Sequence, residues 1–321
     1  MSMANGKLTV IKYSLAKTKR PISPGAEKWL GKPIPCLDHG FVYLVDYLGN
    51  DLSVEQAARV SYGGGTRKVS ETRGLIRYLK RNDHTTPFEM VELKFHAKMP
   101  IFVARQWVRH RTASINEYSA RYSILDKEFY LPEPEILSEQ SKNNKQGRGE
   151  VVSSAQAEEI RRLLLDEASG AYGLYEQLLN EDGDGNPKDL AKPKLARELA
   201  RMGLTLNYYT QWYWKINLHN FMHFIKLRVH PHAQYEIRVF AEAMSKIAKQ
   251  AFPIAWEAFE DYELNAEKFT SPELAILVKM LGNKIKFTPD EVIELAVASG
   301  MDNKREQYEM VKKLKLLGII S

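Results

Sequence analysis

A single cysteine, Cys36, stands in 321 residues, so no intramolecular disulfide framework is open to this chain and the usage agrees with a reducing compartment. Its neighbours Pro33, Pro35 and Leu37 supply no base, which leaves the thiol a structural role. No apolar run approaches the roughly 18 residues that span a bilayer. The stretch from Met1 to Arg20 mixes Lys7, Lys12, Lys17 and Lys19 with single apolar residues and has no hydrophobic signal segment. The expectation is a soluble, cytoplasmic protein with no membrane partner. Glycine motifs for nucleotides are missing too. No G-x-G-x-x-G joins a strand to a helix, and Gly63-Gly64-Gly65-Thr66-Arg67-Lys68 lacks the Gly-Lys-Ser/Thr of a phosphate loop, which makes the triple glycine a flexible loop or linker. Asp182, Asp184 and Asn186 open like a calcium loop, but Pro187 and Pro193 occupy the positions that need Gly and Glu, so a helix-to-helix turn is expected there.

What is present fits an ordinary globular protein, with 44% hydrophobic and 27% charged residues. The net charge of +6 and a pI near 9.1 suit a protein that meets anions. Most positive residues are scattered, as on a solvated face; Arg105, Arg109, His110 and Arg111 form one cluster, and Arg197, Arg201 and Arg228 recur later.

A Pro-rich lead (Pro21, Pro24, Pro33, Pro35) reads as an extension, residues 1–39. A strand is expected over Phe41–Leu48, followed by a helix capped by Ser53 and Gln56 and running to Val60, then a second helix from about Ser70 to Arg81. Val91, Leu93, Phe95 and Ala97 alternate with Glu92, Lys94, His96 and Lys98, the period of a half-buried strand, and Pro100 ends it. Ile101–Val108 reads as helix, Glu128–Leu131 as a short strand, and residues 132–154 as a polar, mobile stretch. A long amphipathic helix then presents Ile160, Leu163, Leu164, Ala171, Leu174, Tyr175 and Leu178 on one side. Leu204–Ile216 is strand-like, Asn217 N-caps a helix carrying Phe221, Phe224 and Ile225 inward, and another helix covers about Ala233–Phe252. Ser271-Pro272 and Thr288-Pro289 with Glu291 start a small set of tail helices.

Chemistry concentrates in Arg105-Gln-Trp-Val-Arg-His-Arg-Thr-Ala-Ser-Ile-Asn-Glu-Tyr-Ser-Ala-Arg121. Forked guanidinium donors match phosphates and the carbonyl edges of heterocycles, so an anionic, planar ligand is indicated; a bare Arg-His-Arg at a helix end would more often pair with carboxylates. The string RHRTASINEYSARYS carries the pattern RHR-x7-S and resembles the signature of the flavin-dependent thymidylate synthases, the ThyX family. The resemblance runs from about Gly40 to Phe259 through GFVYLVDYLGNDLSVEQAARVSYG, His84-Thr-Thr-Pro-Phe-Glu-Met, ARMGLTLNYYTQWYWKINLHNFMHFIKLR and HAQYEIR.

It implies an α/β (α+β) fold with a mainly antiparallel sheet and long helices over residues 40–260; outside it lie the extension 1–39 and the small helical appendage over 261–321 that the tail's own start signals indicate, and neither gains a role from it. It also implies reductive methylation of dUMP to dTMP, with FAD as hydride carrier, NADPH as its transient reductant and 5,10-methylenetetrahydrofolate as carbon donor. Residue by residue, His84, Thr86, Arg109, His110, Arg111 and Glu117 match flavin positions, and Asn217, His219 and His223 match a second flavin group, in which the family often has Arg where His219 stands. Gln106, Arg109, Ser119, Ala120, Arg121, Arg201 and Arg228 match positions that hold dUMP, Arg228 being the residue that polarises the pyrimidine near N3. The family's sites lie between the subunits of a homotetramer.

Two other readings compete. His219 and His223 sit four apart on a helix, near His230 and His232, but Asn220 stands where a zincin needs Glu, so no metal is expected. Tyr208, Tyr209, Trp212, Tyr213 and Trp214 with a basic pI suggest a nucleic-acid binder, but aromatics this dense in a strand belong to a core.

Overall fold

Strands with alternating apolar residues build the centre of the molecule. In the computed structural model, which describes residues 19–62, 71–142, 145, 147–182, 184–281 and 287–320, β1 (Ile34–Cys36), β2 (Gly40–Leu48), β3 (Glu92–Pro100), β4 (Ala113–Glu117) and β7 (Tyr209–Asn217) pair antiparallel in the order β1-β2-β3-β7-β4. The triple glycine lies outside the described residues. Register sets Phe95 opposite Trp214 and Ala97 opposite Trp212, so one face of β3 and β7 is a continuous apolar surface.

Helices cover that face. α1 (Pro24–Glu27), α2 (Asp51–Arg59), α3 (Thr72–Arg81), α4 (Thr86–Glu89) and α5 (Ile101–Trp107) come before the long α6 (Ser154–Leu179); α7 (Arg197–Ala200), α8 (Leu218–Arg228), α9 (Tyr235–Ala251) and α10 (Pro253–Phe259) follow. Phe221 of α8 stacks on Phe95 with ring centroids 5.6 Å apart, and Trp107 of α5 stacks on Phe224 at 5.3 Å and meets Trp214 edge-on at 5.2 Å. These rings are buried to at most 2% exposure, and burying one such side chain stabilises by about 1.5–3 kcal/mol. Tyr208, Tyr209, Trp212 and Trp214 are accordingly core residues.

Two compact units result, Met1–Phe259 and Glu260–Ser321. In the second, α11 (Ser271–Leu281), α12 (Pro289–Ala298) and α13 (Lys304–Leu316) bear out the expected helical tail; Thr288 and Glu291 form a capping box, and Val292, Val311 and Ile320 make a small core. Among the described residues no helix is long and apolar enough to cross a membrane.

The structure differs from the sequence reading in several places, each with a local cause. The cap of α2 is Asn50, with Ser53 as its reciprocal partner three residues on. The sequence sets residues 1–39 apart, but residues 23–36 are seated on the sheet and α9. Ser23 Oγ donates to the Ala251 carbonyl at 2.6 Å, and Gly25 lies so near Gln250 that a Cβ would come within 1.7 Å of its carbonyl oxygen. His96 and Lys98, expected on a wet face of β3, are buried because Tyr43 and Gln211 bracket the imidazole and Glu128 pairs with the ammonium. Residues 128–131 make only a single bridge, Phe129 to Tyr208, and the polar stretch holds a hairpin, β5 (Ser138–Gln140) with β6 (Arg148–Val151). On α6 the buried residues are Ala157, Ala168, Tyr172, Tyr175 and Leu179, whereas Leu163 and Leu174 stay 55% and 48% exposed. The helix turns its tyrosines inward because their hydroxyls bond the main chain: Tyr172 donates to the Leu125 carbonyl at 2.8 Å and Tyr175 accepts from Leu125 N at 3.3 Å.

Candidate active site

Pro100 ends β3 and starts α5, whose Val103, Ala104 and Trp107 are anchored in the core. The chain leaves that anchor in a tight turn, with His110 N bonded to the Trp107 carbonyl at 3.0 Å, and so delivers Arg109, His110 and Arg111 just before β4. His110 packs edge-on against Phe224 at 4.8 Å, and Arg228, in the last turn of α8, donates from Nε to His110 Nε2 at 3.1 Å. Burial, the Arg228 cation and His223 together pull the His110 pKa down to about 4. At neutral pH the ring is therefore uncharged, accepts at Nε2 and carries its proton on Nδ1. Burial also lowers the Arg228 pKa.

A second group forms where β4 ends. A cavity of about 330 Å³ is lined by Glu117, Ser119, Ala120, Arg201, Tyr208 and Thr210 among others. Thr210 Oγ1 donates to Glu117 Oε1 at 2.7 Å, and Ser119 Oγ accepts from Arg121 N at 3.3 Å. The tyrosines of α6 hold this segment through Leu125 and Ala120. Arg121 does not line the cavity; it forms an exposed pair with Glu198 at 3.1 Å.

The remaining residues lie apart. His84 and Thr86 line a larger cavity of about 1080 Å³ between α2 and α3, beside Ser53, Gln56 and Tyr78. Asn217 is the N-cap of α8 and accepts from Asn220 N at 2.9 Å, which occupies its side-chain oxygen. His219 is half-buried on the first turn of α8, and His223 is exposed with its ring 6.4 Å from that of His110. Gln106 donates to Gln234 Oε1. The two cavities each hold only part of the set, His84 and Thr86 in one and Glu117, Ser119, Ala120 and Arg201 in the other.

The sequence reading misses Thr210 and the polar group around Glu236, formed by Tyr130, Arg148 and Gln234. Gln234 and Glu236 fall within HAQYEIR, yet nothing in that string says that the carboxylate is buried. Among the described residues no three His, Cys, Asp or Glu side chains gather as a metal site, and Asp182 accepts from Asp184 N and Asn186 N in a simple turn.

The donor set fits anionic heterocyclic ligands. Arg109, Arg111 and Arg201 have no carboxylate partner among the described residues, and Arg228 meets only the neutral His110, whereas Arg121, Arg148 and Arg197 are all paired. Guanidiniums left without a carboxylate suit a pyrophosphate or a nucleotide phosphate.

Comparisons with known proteins place the chain in a family. Residues 43–254 match the family Thy1, described as thymidylate synthase complementing protein. A flavin-dependent thymidylate synthase of Rickettsia bellii is 52% identical over 299 residues, 93% of this chain and 99% of that protein. One of Gluconobacter oxydans is 54% identical over 267 residues, covering 83% and 85% of the two chains. A crystal structure of the UMP/dUMP methylase PolB from Streptomyces cacaoi bound with 5-Br dUMP superposes with a TM-score of 0.61 at 34% identity, over 71% of this chain and 98% of that one. The chain belongs to the Thy1 family, and both of these curated relatives are named flavin-dependent thymidylate synthases.

Proposed function

We propose that this protein converts dUMP to dTMP for de novo thymidylate synthesis, with 5,10-methylenetetrahydrofolate as carbon donor and FAD, reduced by NADPH, as hydride carrier. The observation that carries the reading is the pair of Arg228 and neutral His110, flanked by Arg109 and Arg111, which have no carboxylate partner among the described residues. Family membership and the similarity to flavin-dependent thymidylate synthases support the same chemistry.

Arg109, His110, Arg111 and Glu117 would hold FAD with His84 and Thr86, and with Asn217, His219 and His223. Bound and reduced, the flavin supplies the hydride that a protein side chain cannot. His110 takes the Nε hydrogen of Arg228 and so fixes the plane of the guanidinium. The terminal nitrogens of that fork have no partner among the described residues and are left to donate to the pyrimidine near N3, where a fixed cation favours the ionised ring and makes its carbon a better nucleophile. Ser119, Ala120 and Arg201, gathered in one cavity, would hold the nucleotide with Gln106, Arg109 and Arg121. Arg121 must give up Glu198 for a phosphate, and an exposed pair of that kind is worth only about 0–1 kcal/mol.

The partition of these residues over separate cavities supports sites completed between subunits of a homotetramer. Exposed Leu163, Leu164, Leu165 and Leu174 on α6 give such an assembly apolar surface to bury. Purified protein is expected to carry FAD and to release it when the oligomer is dissociated; colourless protein with no affinity for added FAD would overturn the reading.

A further inference from the structure

A buried carboxylate stands behind the nucleotide group without belonging to it. Glu236, in the first turn of α9, is 2% exposed. Its Oε1 accepts from Arg148 Nη2 at 2.6 Å and from the Tyr130 hydroxyl at 3.2 Å; its Oε2 accepts from Arg148 Nη2 at 2.8 Å and from Gln234 Nε2 at 2.9 Å. Gln234 Oε1 in turn accepts from Gln106 Nε2.

Chemistry fixes the direction of every link. An ionised carboxylate only accepts, so Gln234 must turn its NH2 towards Glu236. Its carbonyl oxygen then faces Gln106, which must turn its own NH2 inward. Gln106 Oε1, which has no partner among the described residues, is left pointing away as an acceptor. A lone glutamine could present either end of its amide, since the two ends are alike in shape. Here a flip of either amide would set like groups against each other, two donors or two acceptors. Arg148, supplied by the β5–β6 hairpin, is the counter-charge paired with the buried carboxylate.

We propose that Glu236 is a positioning residue, acting through Gln234 to lock the amide of Gln106 so that it offers its carbonyl oxygen to a donor on the nucleotide. This rests on the reading above in which Gln106 faces dUMP.

The test is a double-mutant cycle in the full-length, FAD-loaded protein, read as dUMP affinity alongside flavin content, thermal midpoint, KM and kcat. Gln234→Met keeps side-chain length, cuts the relay and leaves Glu236 with Arg148 and Tyr130. It should weaken dUMP binding roughly fivefold, the scale of one neutral hydrogen bond, through KM rather than kcat, with flavin content and thermal midpoint unchanged. Gln106→Met should do the same, and the double variant should bind dUMP no more weakly than Gln106→Met alone. Glu236→Gln should also weaken dUMP binding; should it fail to fold, the Gln234 and Gln106 cycle decides by itself. Single effects that multiply in the double variant, or wild-type dUMP affinity in Gln234→Met, overturn the proposal. If Gln106→Met binds dUMP normally in an enzyme that forms dTMP, the positioning role falls and the functional reading stands; if the unmodified protein neither binds dUMP nor forms dTMP, the functional reading itself has failed.

Discussion

Arg228 Nε and His110 Nε2 lie 3.1 Å apart, although 118 positions separate them in the sequence. The contact joins the arginine-rich turn after α5 to the last turn of α8, and it works only while the imidazole is neutral. A protonated ring would face the guanidinium as a second donor with a like charge.

Arg228→Lys tests what the forked side chain contributes. Lysine keeps the charge but has no Nε–H to give His110 and no planar pair of donors for the pyrimidine. A lost charge-assisted hydrogen bond of about 1.5–3 kcal/mol corresponds to on the order of tenfold to a hundredfold in rate. The variant should form dTMP that much more slowly with its flavin absorbance intact; unchanged turnover would refute the assignment.

The depressed His110 pKa has a consequence for acid stability. The unfolded ring takes up its proton near 6.5 and the folded one near 4, so between these values the unfolded chain holds more protons. Stability therefore rises with pH through this window and is lost as pH falls through it. His96, also held neutral by burial, acts in the same direction and remains in the variant. His110→Gln keeps an acceptor for Arg228 and removes the titration, so its thermal midpoint should fall less between pH 7 and pH 5 than that of the wild type. Equal losses would show that His110 is not buried against Arg228 as described.

Much of this arrangement is legible in the sequence where the signal is local. Asn217 caps α8 because its side chain reaches the N–H three residues on, and the alternation along β3 marks the apolar sheet face. The RHR-x7-S string is likewise a matter of short spacing. What is not legible depends on contacts distant in sequence. Gln106 meets Gln234 across 128 positions, and nothing beside Glu236 in the chain reveals its burial. The periodicity of α6 points to leucines, yet hydroxyl bonds to Leu125 decide which face turns inward. The lead before Gly40 is rich in proline and reads as detached, while its packing rests on distant contacts: Gly25 and Ser23 against the end of α9, and β1 paired with β2.

Neither candidate nucleophile is built for attack. Cys36 is buried in β1, and its thiol is pushed up to about 12 by burial, so it carries no thiolate at neutral pH. Ser119 Oγ accepts from Arg121 N, with no base bonded to it among the described residues. Cys36→Ala should be nearly silent. Ser119→Ala should cost about 1 kcal/mol, roughly fivefold in rate, whereas loss of a true nucleophile costs on the order of a millionfold. Abolished dTMP formation in either variant, with fold and FAD retained, would require a covalent mechanism instead.

The most direct test of the whole account is an anaerobic assay in which the purified protein is given dUMP, 5,10-methylenetetrahydrofolate, FAD and NADPH, and dTMP is measured. The account predicts dTMP that depends on dUMP, on the folate, on NADPH and on flavin, bound or added, and that is strongly reduced in Arg228→Lys. No dTMP from folded, FAD-loaded protein, or dTMP formed at the same rate without flavin, would contradict it.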